Sequence, residues 1–247
     1  MNANSTDSPD SFTLISNSIL YEDNHLLIVN KMPSQIVQGD KTGDTPLSET
    51  LKGYIKEKYN KPGEVFLGVV HRLDRPVSGA VIFARTSKAL TRLNLMLKNH
   101  EIHKTYWAVT GNKPPAGEGL LIHHLVRNEA QNKSYVVAGP RKGSQVAELH
   151  YRLIASSERY FLLEIELHTG RHHQIRAQLS AIGCPIKGDL KYGSPRSNPD
   201  GSIHLHSRKI DFIHPVSKLN ISVTAPPHPE KVWNIMVNAY NSGLPKQ

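Results

Sequence analysis

Asp74 is the carboxylate of this sequence whose surroundings most suggest chemistry. It lies in His71-Arg72-Leu73-Asp74-Arg75-Pro76-Val77-Ser78-Gly79, where an apolar run (residues 65–70) gives way to charged residues, a proline and a glycine. That change of composition places the side chains in a loop at a strand end, where catalytic and binding groups concentrate. Arg72 and Arg75 flank Asp74 in the chain, and neighbouring positive charge favours the ionised form of a carboxylate. An ionised, oriented carboxylate can act as a nucleophile or stabilise a cationic, sugar-like centre. Taken alone, the same pattern also fits a loop salt bridge.

A second cluster is His168-Thr169-Gly170-Arg171-His172-His173-Gln174-Ile175-Arg176. It reads as the junction of an alternating strand with a helix starting near His172. A helix N-terminus offers unpaired N–H groups to anions. Arg171, the two histidines and Arg176, one turn beyond His172, add positive charge there, so the segment suits a phosphate or carboxylate, or is a solvated basic helix start. Tyr106, beside Trp107 in a β-rich segment, could stack on a base or move a proton; it could equally be packing. Adjacent strand residues face opposite ways, so only one of Tyr106 and Trp107 is expected to face a core. Gly183-Cys184-Pro185-Ile186-Lys187-Gly188-Asp189-Leu190-Lys191-Tyr192-Gly193 holds three glycines in eleven residues and reads as a structural loop with tight turns.

The elements that position these groups follow from periodicity. Residues 26–29 and 65–70 are apolar runs of strand length, while residues 146–154 and 160–167 alternate. Residues 156–159 join the latter two as a hairpin. Leu47, Leu51, Tyr54 and Ile55 recur at helical spacing, as do Leu90, Leu93, Met96 and Leu97 behind a Thr86 or Ser87 cap. Ile175, Leu179 and Ile182 form the apolar stripe of the helix after the second cluster, with Gly183 as its C-cap. Residues 203–213 and 219–224 are strands, and residues 232–240 a terminal helix. Many antiparallel-type strands with a few helices indicate an α+β domain. The expected organisation is a disordered tail over residues 1–17, one domain over 18–240 and a C-terminal tail over 241–247.

The chain has 247 residues, with 30 Lys and Arg against 21 Asp and Glu, a net charge of +9. A basic domain of this size is drawn to polyanions through phosphate contacts and counterion release. One cysteine excludes an intrachain disulfide and a multi-cysteine metal site. No apolar run approaches the ~20 residues of a membrane helix, and the N-terminus has no secretory pattern. A cytoplasmic location is the default expectation.

In this order, the motifs resemble the RluA-type family of RNA pseudouridine synthases. The family's His-Arg-Leu-Asp-Arg-x-Thr-Ser-Gly is matched by residues 71–79, with Val77 in place of threonine. Its Gly-Arg-x-His-Gln-Ile-Arg is matched by residues 170–176, and Gly-x-Pro-Ile-x-Gly-Asp-x-x-Tyr-Gly by residues 183–193. A Tyr-Glu-Asp-x-x-Leu-Leu-Val-Val-Asn-Lys element is similar to residues 21–31. The similarity spans about residues 18–230. Val77 keeps the shape of threonine and drops a hydroxyl, and no S4-type RNA-binding domain is expected ahead of the similarity.

The resemblance implies a pseudouridine synthase catalytic fold: a mixed, mostly antiparallel sheet with flanking helices and a central active-site cleft. It implies conversion of uridine to pseudouridine in ribosomal or transfer RNA by a monomer, without cofactor or metal. Asp74 would be the essential carboxylate, Tyr106 the tyrosine against the uracil, and Arg176 the partner of the carboxylate. Arg72 would enter the space of the flipped nucleotide. His71, Arg75, Arg171, His173 and Lys187 are expected to contact RNA. Two other classes compete. A zinc hydrolase is suggested by 14 histidines, but no His-Glu-x-x-His element supports it. An RNA-binding module without catalysis is disfavoured by the intact Asp74, Tyr106 and Arg176.

Overall fold

The computed structural model describes residues 11–40 and 42–243. In chain order its elements are α1 (Ser11–Ser18), β1 (Ile19–Glu22), β2 (Leu26–Lys31), α2 (Leu47–Lys58), β3 (Gly68–Val69), β4 (Ser78–Ala84), α3 (Ser87–Lys98), β5 (His103–Thr110), β6 (Glu118–Asn128), β7 (Lys133–Val137), β8 (Ser144–Ser156), β9 (Phe161–Leu167), α4 (Gln174–Ala181), β10 (Leu205–Ile213), β11 (Asn220–Thr224) and α5 (Lys231–Asn241). One sheet takes in every strand, in the order β1-β2-β4-β10-β5-β9-β8-β6-β7, with β3 added to β4 and β11 to β10. Among the described residues only β4 and β10 pair in parallel; the others are antiparallel, so the expected mixed, mostly antiparallel α+β sheet is what forms.

The parallel junction explains a glycine of the Asp74 motif. His206 pairs with Ser78 and Ser207 with Gly79. Gly79 has φ +114°, and a Cβ there would lie 2.5 Å from the Ser207 nitrogen. Only glycine combines that dihedral with so close a backbone approach. β4 is buried along its whole length, as its run of Ala, Val, Ile and Phe requires of a central strand.

Both sheet faces are covered. Tyr106, Leu163 and Ile165 join one core with Leu73, Val77, Ile175 and Leu179. On the other face Trp107, Val109 and Leu162 pack under Trp233, Met236 and Ala239 of α5. Tyr106 and Trp107 do face opposite ways, but both are buried (6 and 2 % exposed), because α5 covers the face that the strand pattern alone leaves open.

Two boundaries differ from the sequence reading. Residues 11–17, expected to be tail, are helical, and Phe12 and Ile15 fall one turn apart on the α2 side; the Phe12 ring lies 5.1 Å from Tyr54. Residues 1–10 of that tail, and 244–247 at the other end, lie outside the described residues. The strand expected over 65–70 shrinks to Gly68–Val69; beyond Val69 the Ile82 N–H that would extend the ladder donates to the His71 ring instead.

Candidate active site

Asp74 leaves the loop between β3 and β4, which a buried cation holds in shape. Its carbonyl accepts from the Val77 N–H at 3.0 Å. Lys31, fully buried at the end of β2, donates through Nζ to the carbonyls of Met32 (2.9 Å), Arg75 (3.2 Å) and Val77 (2.6 Å). Burial pulls the Lys31 ammonium down to about 7 against the opposing pull of Asp74. Lys31 is not among the site residues expected from sequence; a lysine closing an apolar strand is the signal for it.

Arg176 is brought to Asp74 by the first turn of α4. Its Nη1 donates to Asp74 Oδ2 at 3.0 Å, while Nε and Nη2 grip both oxygens of Asp189 at 2.7 and 2.9 Å. Arg176 and Asp189 are 5 and 1 % exposed, so this forked pair is dry and neither partner is tolerable without the other. Asp189 sits in the glycine-rich turn whose composition alone indicates a structural loop. Gly188 before it has φ +89°, and a Cβ there would lie 2.8 Å from the Ser202 carbonyl. The turn is therefore the support of Arg176, and Asp189 and Tyr192 are site residues that the sequence reading missed.

His173 is buried at the foot of Asp74, with Nε2 at 3.4 Å from Oδ2 and Nδ1 at 3.0 Å from the Tyr192 hydroxyl. Burial depresses this imidazole to about 3, against the opposing influence of Asp74. The helix starts at Gln174 rather than His172, and His173 occupies the left-handed region. His172 consequently does not share a helical face with Arg176; it stacks on His173 at 3.8 Å.

Tyr106 lines the same recess as Asp74, walled by Leu73, Val77, Ile175 and Leu205. Burial pushes its phenol well above the ordinary value, and the Asp74 charge acts in the same direction. The hydroxyl thus keeps its proton at neutral pH. Arg72 and Arg171 stand exposed at the rim, with Arg171 Nε anchored on the Val146 carbonyl at 2.9 Å. Beside the recess a wider groove carries Arg72, Arg75, Asn132, His172 and Lys191.

Three expected RNA contacts are placed otherwise. The His71 ring faces inward, accepts the Ile82 N–H at 3.2 Å and is lowered to about 3, chiefly by burial. Arg75 lines the groove, but its guanidinium holds Asp44 (2.6 Å), Asp40 (3.4 Å) and Thr42 (2.7 Å). Lys187 is absent from both the recess and the groove, its ammonium bonded to Asn198 at 2.7 Å. Among the described residues, no group of three or more His, Cys, Asp or Glu could hold a metal ion. No helix of the described residues is long and apolar enough to cross a membrane.

A family profile described as RNA pseudouridylate synthase matches residues 25–181. An uncharacterised RNA pseudouridine synthase of Synechocystis is 33 % identical over 212 residues, covering 84 % of this chain and 64 % of the relative. The ribosomal large subunit pseudouridine synthase D of Zymomonas mobilis is 31 % identical over 218 residues, covering 84 % of this chain and 68 % of the relative. This chain therefore spans about two thirds of the length of these relatives. The solved structure of human RNA pseudouridylate synthase domain containing 4 has the same fold, with a TM-score of 0.75, 21 % identity, and coverage of 93 % of this chain and 95 % of that one.

Proposed function

This chain belongs to the RNA pseudouridylate synthase family, and from that premise we propose that it isomerises uridine to pseudouridine in structured ribosomal or transfer RNA, with Asp74 as the carboxylate that meets the reacting nucleoside. The observation that carries the reading is the Asp74–Arg176 contact of 3.0 Å at the recess that Tyr106 lines.

In the reaction the N1–C1′ bond breaks, the uracil turns, and C5 bonds to C1′. C5 loses its proton and N1 ends protonated, so no atom is gained or lost. Arg176 engages Asp74 through Oδ2, which leaves Oδ1 to face the sugar. With a nucleoside seated in the recess, its apolar walls exclude water from this charge pair and strengthen it. Tyr106, protonated at neutral pH, meets the uracil as a proton-transfer group. A stacked uridine must first leave its helix, at a cost of a few kcal/mol. Arg72, planar and exposed at the rim, fills the vacated stack. The +9 charge provides the general hold on phosphates.

The test is tritium release from unmodified ribosomal and transfer RNA transcripts carrying [5-³H]uridine, since only a reaction at C5 frees that label. Wild-type protein should release it. Asp74→Asn should lower release by on the order of a thousandfold while RNA binding and melting stay close to wild type. Full release by that variant would refute the role of Asp74.

A further inference from the structure

We propose that His173 is a positioning residue rather than an RNA contact: with Tyr192 it links Ser134, on the β6–β7 hairpin, to Asp74 and holds Oδ2 so that Oδ1 is presented to substrate. The inference rests on the isomerase reading above and on the place of Asp74 in it.

The direction of each bond follows from the donors available. The Ser134 backbone N–H donates to the Tyr192 hydroxyl oxygen at 2.8 Å. The hydroxyl's own proton is then directed to His173 Nδ1, 3.0 Å away. Nδ1 accepts, so the single proton of the neutral ring sits on Nε2. That Nε2–H lies 3.4 Å from Asp74 Oδ2, a separation that a sub-ångström shift closes when a nucleoside fills the recess. Arg176 donates to the same oxygen at 3.0 Å. Among the described residues Oδ1 accepts no hydrogen bond, so the two donors converge on one oxygen and leave the other for chemistry.

The ring is also clamped from behind. His172 stacks on it at 3.8 Å with a 20° tilt, and is itself held by Ser134 Oγ (2.9 Å) and Asn132 Oδ1 (3.0 Å). His173 has φ 52°, a dihedral that a residue with a side chain keeps only where its surroundings hold it there. The Tyr192 ring lies 5.0 Å from the Arg176 guanidinium, so one tyrosine braces both donors to Asp74.

Two amide replacements separate positioning from backbone accommodation. Asparagine suits the left-handed region better, but its short amide can stand in only for Nδ1. Glutamine fits that backbone less well, yet its amide reaches the place of Nε2. On a transcript that wild type modifies, His173→Asn should lower kcat by about ten- to a hundredfold. His173→Gln should retain more, and KM for RNA should stay unchanged in both. Asparagine matching or exceeding glutamine, or a raised KM with kcat intact, would overturn the proposal.

Nitrogen-15 NMR of the imidazoles tests it without RNA. Wild type should show a neutral Nε2–H ring for His173 between about pH 5 and 8. Tyr192→Phe, which removes the proton donated to Nδ1, should populate both tautomers. A wild-type Nδ1–H ring, or a Tyr192→Phe spectrum like wild type, would also overturn it. A wild-type protein inactive on every transcript would instead sink the isomerase reading, and the spectra would still decide the tautomer.

Discussion

On one wall of the recess, Asp74 leaves a loop whose own arginines turn away from it. Arg75 spends its guanidinium on Asp40, Thr42 and Asp44, and Arg72 stands exposed at the rim. On the other wall Arg176 and His173, about a hundred residues later in the chain, converge on a single oxygen of Asp74. The first wall supplies the carboxylate and the second governs it. Side chains adjacent in an extended loop diverge, so charge that lies next in sequence is rarely next in space. The groups that orient a carboxylate come instead from whatever packs across from it. The walls also differ in dryness: Asp40, Asp44 and Arg75 are open to solvent, whereas Arg176 and Asp189 are not.

The largest effect should come from the dry wall. Arg176→Ala strands Asp189 as a buried, unpaired charge and should lower unfolding free energy by about 3–5 kcal/mol, read by denaturant titration. Arg176→Lys should rescue little, since an ammonium cannot reproduce the forked grip. A loss below about 1 kcal/mol would erase the distinction between the walls.

Acid should strike both walls together, because each buries a neutral imidazole. His71 and His173 are lowered from 6.5 to about 3, chiefly by burial, as is His206 near the β4–β10 junction. The unfolded chain takes up these protons first. The stabilisation is therefore complete above about pH 6.5 and is lost as pH falls toward 3. Thermal melts should drop by roughly 10 °C between about pH 7 and pH 5. A flat profile would mean that the rings are more open than the packing indicates.

Arg72→Ala should leave melting unchanged and reduce turnover about tenfold on structured RNA, with less loss on a target already unstacked. Equal loss on both RNAs would make Arg72 a general phosphate contact rather than an occupant of the vacated stack. The smallest effect belongs to Arg75→Ala. Its ion pairs with Asp40 and Asp44 are exposed and screened by solvent, so the melting temperature should stay close to wild type, measured by the same melts. A larger change would show that the first wall is more rigid than its solvent exposure suggests.

Much of this was legible in the chain. The helix stripe of Leu47, Leu51, Tyr54 and Ile55 is buried in α2 as its spacing requires. The motif order also picked out Asp74, Tyr106 and Arg176, which meet in one recess. His71 and Lys187 lie outside the recess and the groove for one reason: a sequence shows that a residue carries a positive charge or an imidazole, not which way it turns. His71 turned into the sheet to satisfy a backbone N–H, and Lys187 turned to Asn198.

By itself, then, the sequence pointed to the family of chemistry, to most strands and helices though not α1, β6 or β7, and to three groups that meet in one recess. Those depend on residue type, local periodicity and motif order. Only the tertiary structure decided what holds Asp74. The pairing of Arg176 with Asp189, the burial of Lys31 and the line from Ser134 through Tyr192 to His173 are contacts between remote segments. Their partners are selected by how the sheet, α4 and the glycine turn pack, and no local pattern carries that information.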